Sequence, residues 1–166
     1  FDQSPVIPKA SNSALYVAGD FTTPQARVGV WDGTTFSALG VGLPSSIISL
    51  VEGPDGTIYA GGASMTIGGV TGTVARFTAG AWAIVGATGT MVNQANQMIF
   101  ARNGLLYVAG NDATTHATLD SWNGTAWTHI ITGPANSTAF AVVEGFNGVL
   151  YVGGLFANLN GDANQD

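Results

Sequence analysis

Few residues in this chain could do chemistry. His116 and His129 are the only histidines, and there is no cysteine. Asp112, His116 and Asp120 recur at intervals of four. On a helix that spacing would stack three metal-ligand side chains on one face. The stretch reads as loop and strand, where the spacing loses that meaning, so the three are expected to be solvated polar residues. The run from Asn158 to Asp166 is rich in oxygen ligands. It lacks the Gly and terminal Glu of a calcium loop in register and is expected to be a long loop. Glu52 and Glu144 are the obvious carboxylates for acid–base cleavage of a glycosidic bond. Both end similar strands of a repeat, which points to a shared structural role. No Gly-x-Ser-x-Gly elbow and no phosphate-binding Gly-Lys loop occurs. Trp31, Trp82, Trp122 and Trp127 could stack on sugars, yet all four hold repeat positions that suit core packing. No catalytic, cofactor or metal site is therefore predicted, and ligand-binding positions stay unassigned. Asn123-Gly124-Thr125 and Asn136-Ser137-Thr138 match the glycosylation sequon, which matters only in a eukaryotic secreted protein.

These residues must be positioned by 166 residues, enough for one domain with a core. Charged residues make up 8%, against a usual share of about 25%, while 46% are apolar. The net charge of −6, with only 4 basic residues, argues against binding a phosphate backbone. The longest uncharged stretch, residues 77–101, is interrupted by Gly, Asn and Gln and does not read as a membrane span. Nucleic-acid partners and membrane insertion are not expected. Residue 1 is Phe, so the chain reads as processed, excised or an excerpt.

The strongest signal is an internal repeat. Leu15-Tyr16-Val17-Ala18-Gly19, Ile58-Tyr59-Ala60-Gly61-Gly62, Leu106-Tyr107-Val108-Ala109-Gly110 and Leu150-Tyr151-Val152-Gly153-Gly154 are variants of one motif. Their tyrosines are 43, 48 and 44 residues apart. Trp31-Asp32-Gly33-Thr34-Thr35-Phe36, Phe77-Thr78-Ala79-Gly80-Ala81-Trp82 and Trp122-Asn123-Gly124-Thr125-Ala126-Trp127 recur between them. Asp55-Gly56, Asn103-Gly104 and Asn147-Gly148 precede the later tyrosines. Each unit reads as four short strands, a to d. In the second unit these are 47–52, 57–61, 73–77 and 82–85. Asx-Gly closes a onto b, and the aromatic-Asx-Gly-Thr motif closes c onto d in the same way. A longer loop joins b to c. No sustained 3.6-residue period appears, so almost no helix is expected. Such units fit the four-stranded antiparallel blades of a β-propeller, which stack face to face. The small residues after each Tyr permit close backbone approach.

Gly61-Gly62, then Phe77, then Trp82 resemble the kelch repeat. Tyr16 to Gly40 is similar to the kelch-like repeat of phage structural and bacterial surface proteins, and the resemblance covers nearly the whole chain. Ala18-Gly19 and Ala109-Gly110 depart from its di-glycine. Phe36 and Phe77 replace tryptophans. The resemblance implies an all-β propeller and no particular activity. The kelch copper oxidases use a Cys–Tyr crosslink, which a chain without Cys cannot form.

About three and a half blades are expected, at 1–40, 45–86, 92–131 and a partial one at 138–166, with a weak first strand near Val6-Ile7. Closed propellers have about 4 to 8 blades, so the domain reads as a segment of a longer propeller or one completed by another chain. The expected function is a non-catalytic structural or adhesion module of a phage virion or bacterial extracellular surface assembly. Its partners would be other subunits of that assembly, with cell-surface glycans as a second class. A charge-poor, Thr/Asn/Gly-rich surface fits that setting. The first alternative is a secreted lectin-like carbohydrate-binding propeller. The second is a fragment of a propeller-fold carbohydrate-active enzyme. No cofactor is expected.

Overall fold

The structure, a computed structural model, describes residues 14–22, 26–86 and 93–156. The described chain is all-β and antiparallel, with no helix. Strands β1 (Leu15–Ala18), β2 (Val28–Trp31) and β3 (Phe36–Ala38) form a three-stranded first unit in chain order. In the second unit β4 (Ile47–Glu52), β5 (Ile58–Ile67), β6 (Val70–Thr78) and β7 (Ala81–Ile84) pair in sequence. The third unit repeats this with β8 (Gln94–Phe100), β9 (Leu106–Asn111), β10 (Ala117–Trp122) and β11 (Trp127–Thr132). One bridge, Ala63 to Gln94, links β5 to β8 and joins the second and third units. A fourth unit is the hairpin of β12 (Thr138–Glu144) and β13 (Leu150–Leu155). The strand anticipated near Val6-Ile7 and the loop at 158–166 lie outside the described residues.

Two expectations need correction. The b and c strands of the second unit run on to Ile67 and start at Val70, so the anticipated loop is a longer hairpin. Gly68 and Gly69 both take positive φ (59° and 81°), and this tight reversal matches the twist of paired strands. The Thr66 and Thr71 hydroxyls bond across it at 2.8 Å. The c–d turns also do not all close alike. Asp32 Oδ1 accepts the amides of Thr34 and Thr35, and Asn123 Oδ1 accepts those of Thr125 and Ala126. In the second unit Thr78 holds the Asx position. There Thr78 pairs with Ala81, and Ala79 and Gly80 make a two-residue turn.

Alternation along the strands explains how the units pack. Ile58 and Ala60 of β5 join a buried cluster with Ala18, Val28 and Leu39 of the first unit. Their neighbour Tyr59 points the other way, into a cluster with Met98, Leu106 and Trp122 of the third. Tyr107 repeats the pattern toward Ala139 and Val142 of β12. Three apolar clusters thus lie between successive units, each made by the Tyr-bearing face of one unit and the opposite face of the next.

The first strand of each later unit carries the same irregularity. Register slips by one residue between Ile47 and Ser49, between Ala95 and Gln97, and between Ala139 and Ala141. These bulges tie neighbouring units together. Ser49 Oγ accepts the Met98 amide at 3.0 Å, and Gln97 Oε1 accepts the Val142 amide at 2.8 Å. Gly62 faces the second unit's bulge so closely that a Cβ there would lie 2.1 Å from the Ser46 carbonyl oxygen. This is the close approach expected of the di-glycine motif.

Candidate functional site

At the a–b turn end, the second and third units enclose an open groove of about 590 Å³, lined among others by Glu52, Pro54, Phe100 and Arg102. Its lining brings together an acid, a base and an aromatic ring. In the next interface Glu144 holds the position equivalent to Glu52. Its Oε2 accepts the Arg102 amide at 2.9 Å and lies 4.0 Å from Arg102 Nε. Arg102 Nη1 also donates to the Phe146 carbonyl at 2.7 Å. Glu52 and Glu144 lie alike over their turns. A Cβ on Gly56 would meet Glu52 Oε1 at 3.8 Å, and one on Gly148 would meet Glu144 Oε1 at 3.9 Å. The two glutamates thus occupy like positions, and Glu144 bonds Arg102 of the preceding unit.

The three residues spaced four apart are divided between two sites. Asp112 and His116 meet within one turn, Oδ2 to Nδ1 at 3.1 Å. Asp112 Oδ1 also accepts the amides of Thr114 and His116. Burial works against the Asp112 carboxylate, but these donors outweigh it and hold its pKa below the ordinary value. Asp120 goes elsewhere and, against expectation, is not solvated, because the inward face of β10 carries it into the fold. It is buried on β10, and its Oδ1 takes His129 Nδ1 from β11 at 2.7 Å. His129 Nε2 in turn meets Thr132 Oγ1. Among the described residues no group of three His, Asp or Glu side chains could hold a metal ion.

The Asp120–His129–Thr132 chain was not legible in the sequence. Asp120 Oδ1 and the Thr132 hydroxyl thus hold the two ring nitrogens of His129 from opposite sides. This is the connectivity of a hydrolytic triad with Thr as the hydroxyl. Its setting differs from that of a working triad. It lies on the outermost strand, where His129 and Thr132 are exposed, and it lines none of the described grooves. The chain crosses the β10–β11 register shift after Leu119 and ties the edge strand to its neighbour.

The tryptophans are mostly spent on packing. Trp82 and Trp122 are buried, and Trp127 is half-buried. Trp82 Nε1 donates to the Leu39 carbonyl at 2.9 Å, and Trp127 Nε1 donates to the Val85 carbonyl at 2.8 Å. One bond therefore recurs between successive units, from the second aromatic of the c–d motif to the carbonyl just after the preceding unit's last strand. The spacing of the motif gave its aromatics a packing role but not this donor. Trp31 is the most exposed of the four, at 38%. Asn123 of the first sequon caps its own turn, and Asn136 of the second is exposed with φ 61°.

No family model matches the chain, and no curated protein matches it.

Proposed function

We propose that the chain is a non-catalytic β-propeller module, structural or adhesive, in a phage virion or bacterial extracellular surface assembly. The observation that carries this reading is serial stacking: three apolar clusters separate four successive units. Antiparallel meanders that bury both faces against neighbours are how propeller blades are held. The exposed a–b and c–d turns leave loops at the rims for contacts with other subunits or with cell-surface glycans. The non-catalytic part rests on the setting of the Asp120–His129–Thr132 chain, whose His129 and Thr132 lie exposed on the outermost strand. An antibody to the folded chain, applied to purified particles and intact cells from the source, tests the setting. Surface labelling is expected. Labelling only after lysis overturns it.

Trp31 favours one second reading, a lectin-like propeller that binds sugar by ring stacking. That reading expects saturable binding on a glycan array, lost in Trp31→Ala. Absence of binding by the unaltered chain rejects it.

A further inference from the structure

The outward face of the fourth unit is the Tyr-bearing face of an interface whose other half is missing from the described fold. Val143 pairs with Tyr151 and Ala141 with Gly153, so these four share one face. Val143 and Tyr151 are 58% and 55% exposed. Their counterparts in the second and third units behave differently: Tyr59 and Tyr107 are buried by the unit that follows. The first unit presents the opposite half. Its Leu15, Trp31 and Phe36 hold the positions of Ile58, Phe77 and Trp82, which pack on the preceding unit. Leu15 and Phe36 are half-buried, and Trp31 is exposed.

We propose that the Val143/Tyr151 face of one copy seats on the Leu15/Trp31/Phe36 face of a second copy, head to tail. The proposal rests on the stacked-unit reading above and names its partner. It continues an interface the molecule already makes three times over, twice with an aliphatic and two aromatic residues at these repeat positions. The hydrogen-bonding groups also match. At the first and second interfaces the arriving unit brings an indole N–H, which needs a carbonyl after the preceding unit's last strand. Phe36 brings no such donor, and the β12–β13 hairpin has no third or fourth strand within the described residues to offer that carbonyl. Seating Phe36 therefore strands no indole N–H, and Trp31 takes the position of Trp122, whose buried Nε1 likewise lacks a hydrogen-bond partner. A contact of this kind is heterologous: each copy uses two different patches.

The test is sedimentation velocity and native mass of the full chain across a concentration series. Self-association to a multiple of 16.8 kDa is expected. Tyr151→Asp and Trp31→Asp should each weaken it at least about tenfold, while Tyr151→Phe should keep it. Mixing the two Asp variants restores one intact contact, so a mixed pair should form where neither variant associates alone. Tryptophan emission reports on folding. A blue-shifted signal from Trp82, Trp122 and Trp127 shows that the internal stacking survives. A monomer with shielded tryptophans overturns the second copy as occupant and leaves the stacked-unit reading standing. Solvent-exposed tryptophans in the unaltered chain overturn both. Association untouched by either Asp variant, or no mixed pair, overturns the proposed faces.

Discussion

Tyr59 and Tyr151 hold the same repeat position and meet different fates. Tyr59 packs edge-on against Phe100 of the next unit, ring centroids 5.2 Å apart, and is 7% exposed. Tyr151 has no following unit among the described residues and stands 55% exposed. Gly61 and Gly153 repeat the contrast. A Cβ on Gly61 would press on Met98 Sδ at 2.9 Å, whereas one on Gly153 would meet only Ala141 Cβ at 3.9 Å. The residue type is thus fixed by the repeat, but its energetic weight is fixed by what stacks on it.

Several substitutions break or sharpen this contrast, and all are read by denaturant unfolding of the monomer at low concentration. The largest effect is expected at the aromatic. Tyr59→Ala should cost about 3 kcal/mol, as for large buried aromatic side chains. Tyr151→Ala should stay within about 0.5 kcal/mol. Equal costs would mean that Tyr151 is covered within the monomer. Next comes overpacking. Gly61→Ala presses a methyl against Met98 Sδ of the next unit, and should cost about 1.5 kcal/mol. Gly153→Ala should be neutral or gain about 0.5 kcal/mol by restricting the unfolded chain. A smaller effect is expected from Trp127→Phe, which removes the bond to the Val85 carbonyl and should cost about 1 kcal/mol.

The smallest expected effect is alkaline. Burial pushes the Tyr59 phenol above its ordinary pKa, and the nearby Asp55 charge adds to this. A raised folded-state value means that the folded chain holds the proton longer than the unfolded one. The stabilisation is therefore complete below the unfolded tyrosine value of about 10 and is lost as pH rises through the folded value. Tyr59→Phe should flatten that part of the stability profile, measured between mild and strong alkali. An unchanged slope would show that Tyr59 is solvated.

Much of the architecture was legible. Strand β4 begins and ends where the pattern of apolar and β-branched residues placed it. The Asx turns were equally readable, because Asp55, Asn103 and Asn147 each cap their own turn two residues on. Such contacts are local, so composition and spacing are sufficient. The Gly68–Gly69 hairpin was missed because the residues around it suggested a loop, although two adjacent glycines were signal enough. The site residues were harder to read. The interval of four that joins Asp112, His116 and Asp120 carries no information on a strand, where side chains alternate. Asp120 met His129 only because β10 and β11 pair with a register shift.

The sequence by itself determined that the described residues are all-β, where the Asx-Gly turns fall, and which small residues follow each tyrosine. These follow from short-range chemistry: backbone freedom at Gly, side-chain capping at Asx, and alternation along a strand. Only the tertiary structure decided that the Trp82 and Trp127 indoles donate to the preceding unit, that the recurrent bulge ties first strands together, and which tyrosine face is left open. Those outcomes depend on the stacking of units more than forty residues apart. Burial and hydrogen-bond satisfaction there are set by the neighbour, not by the motif itself.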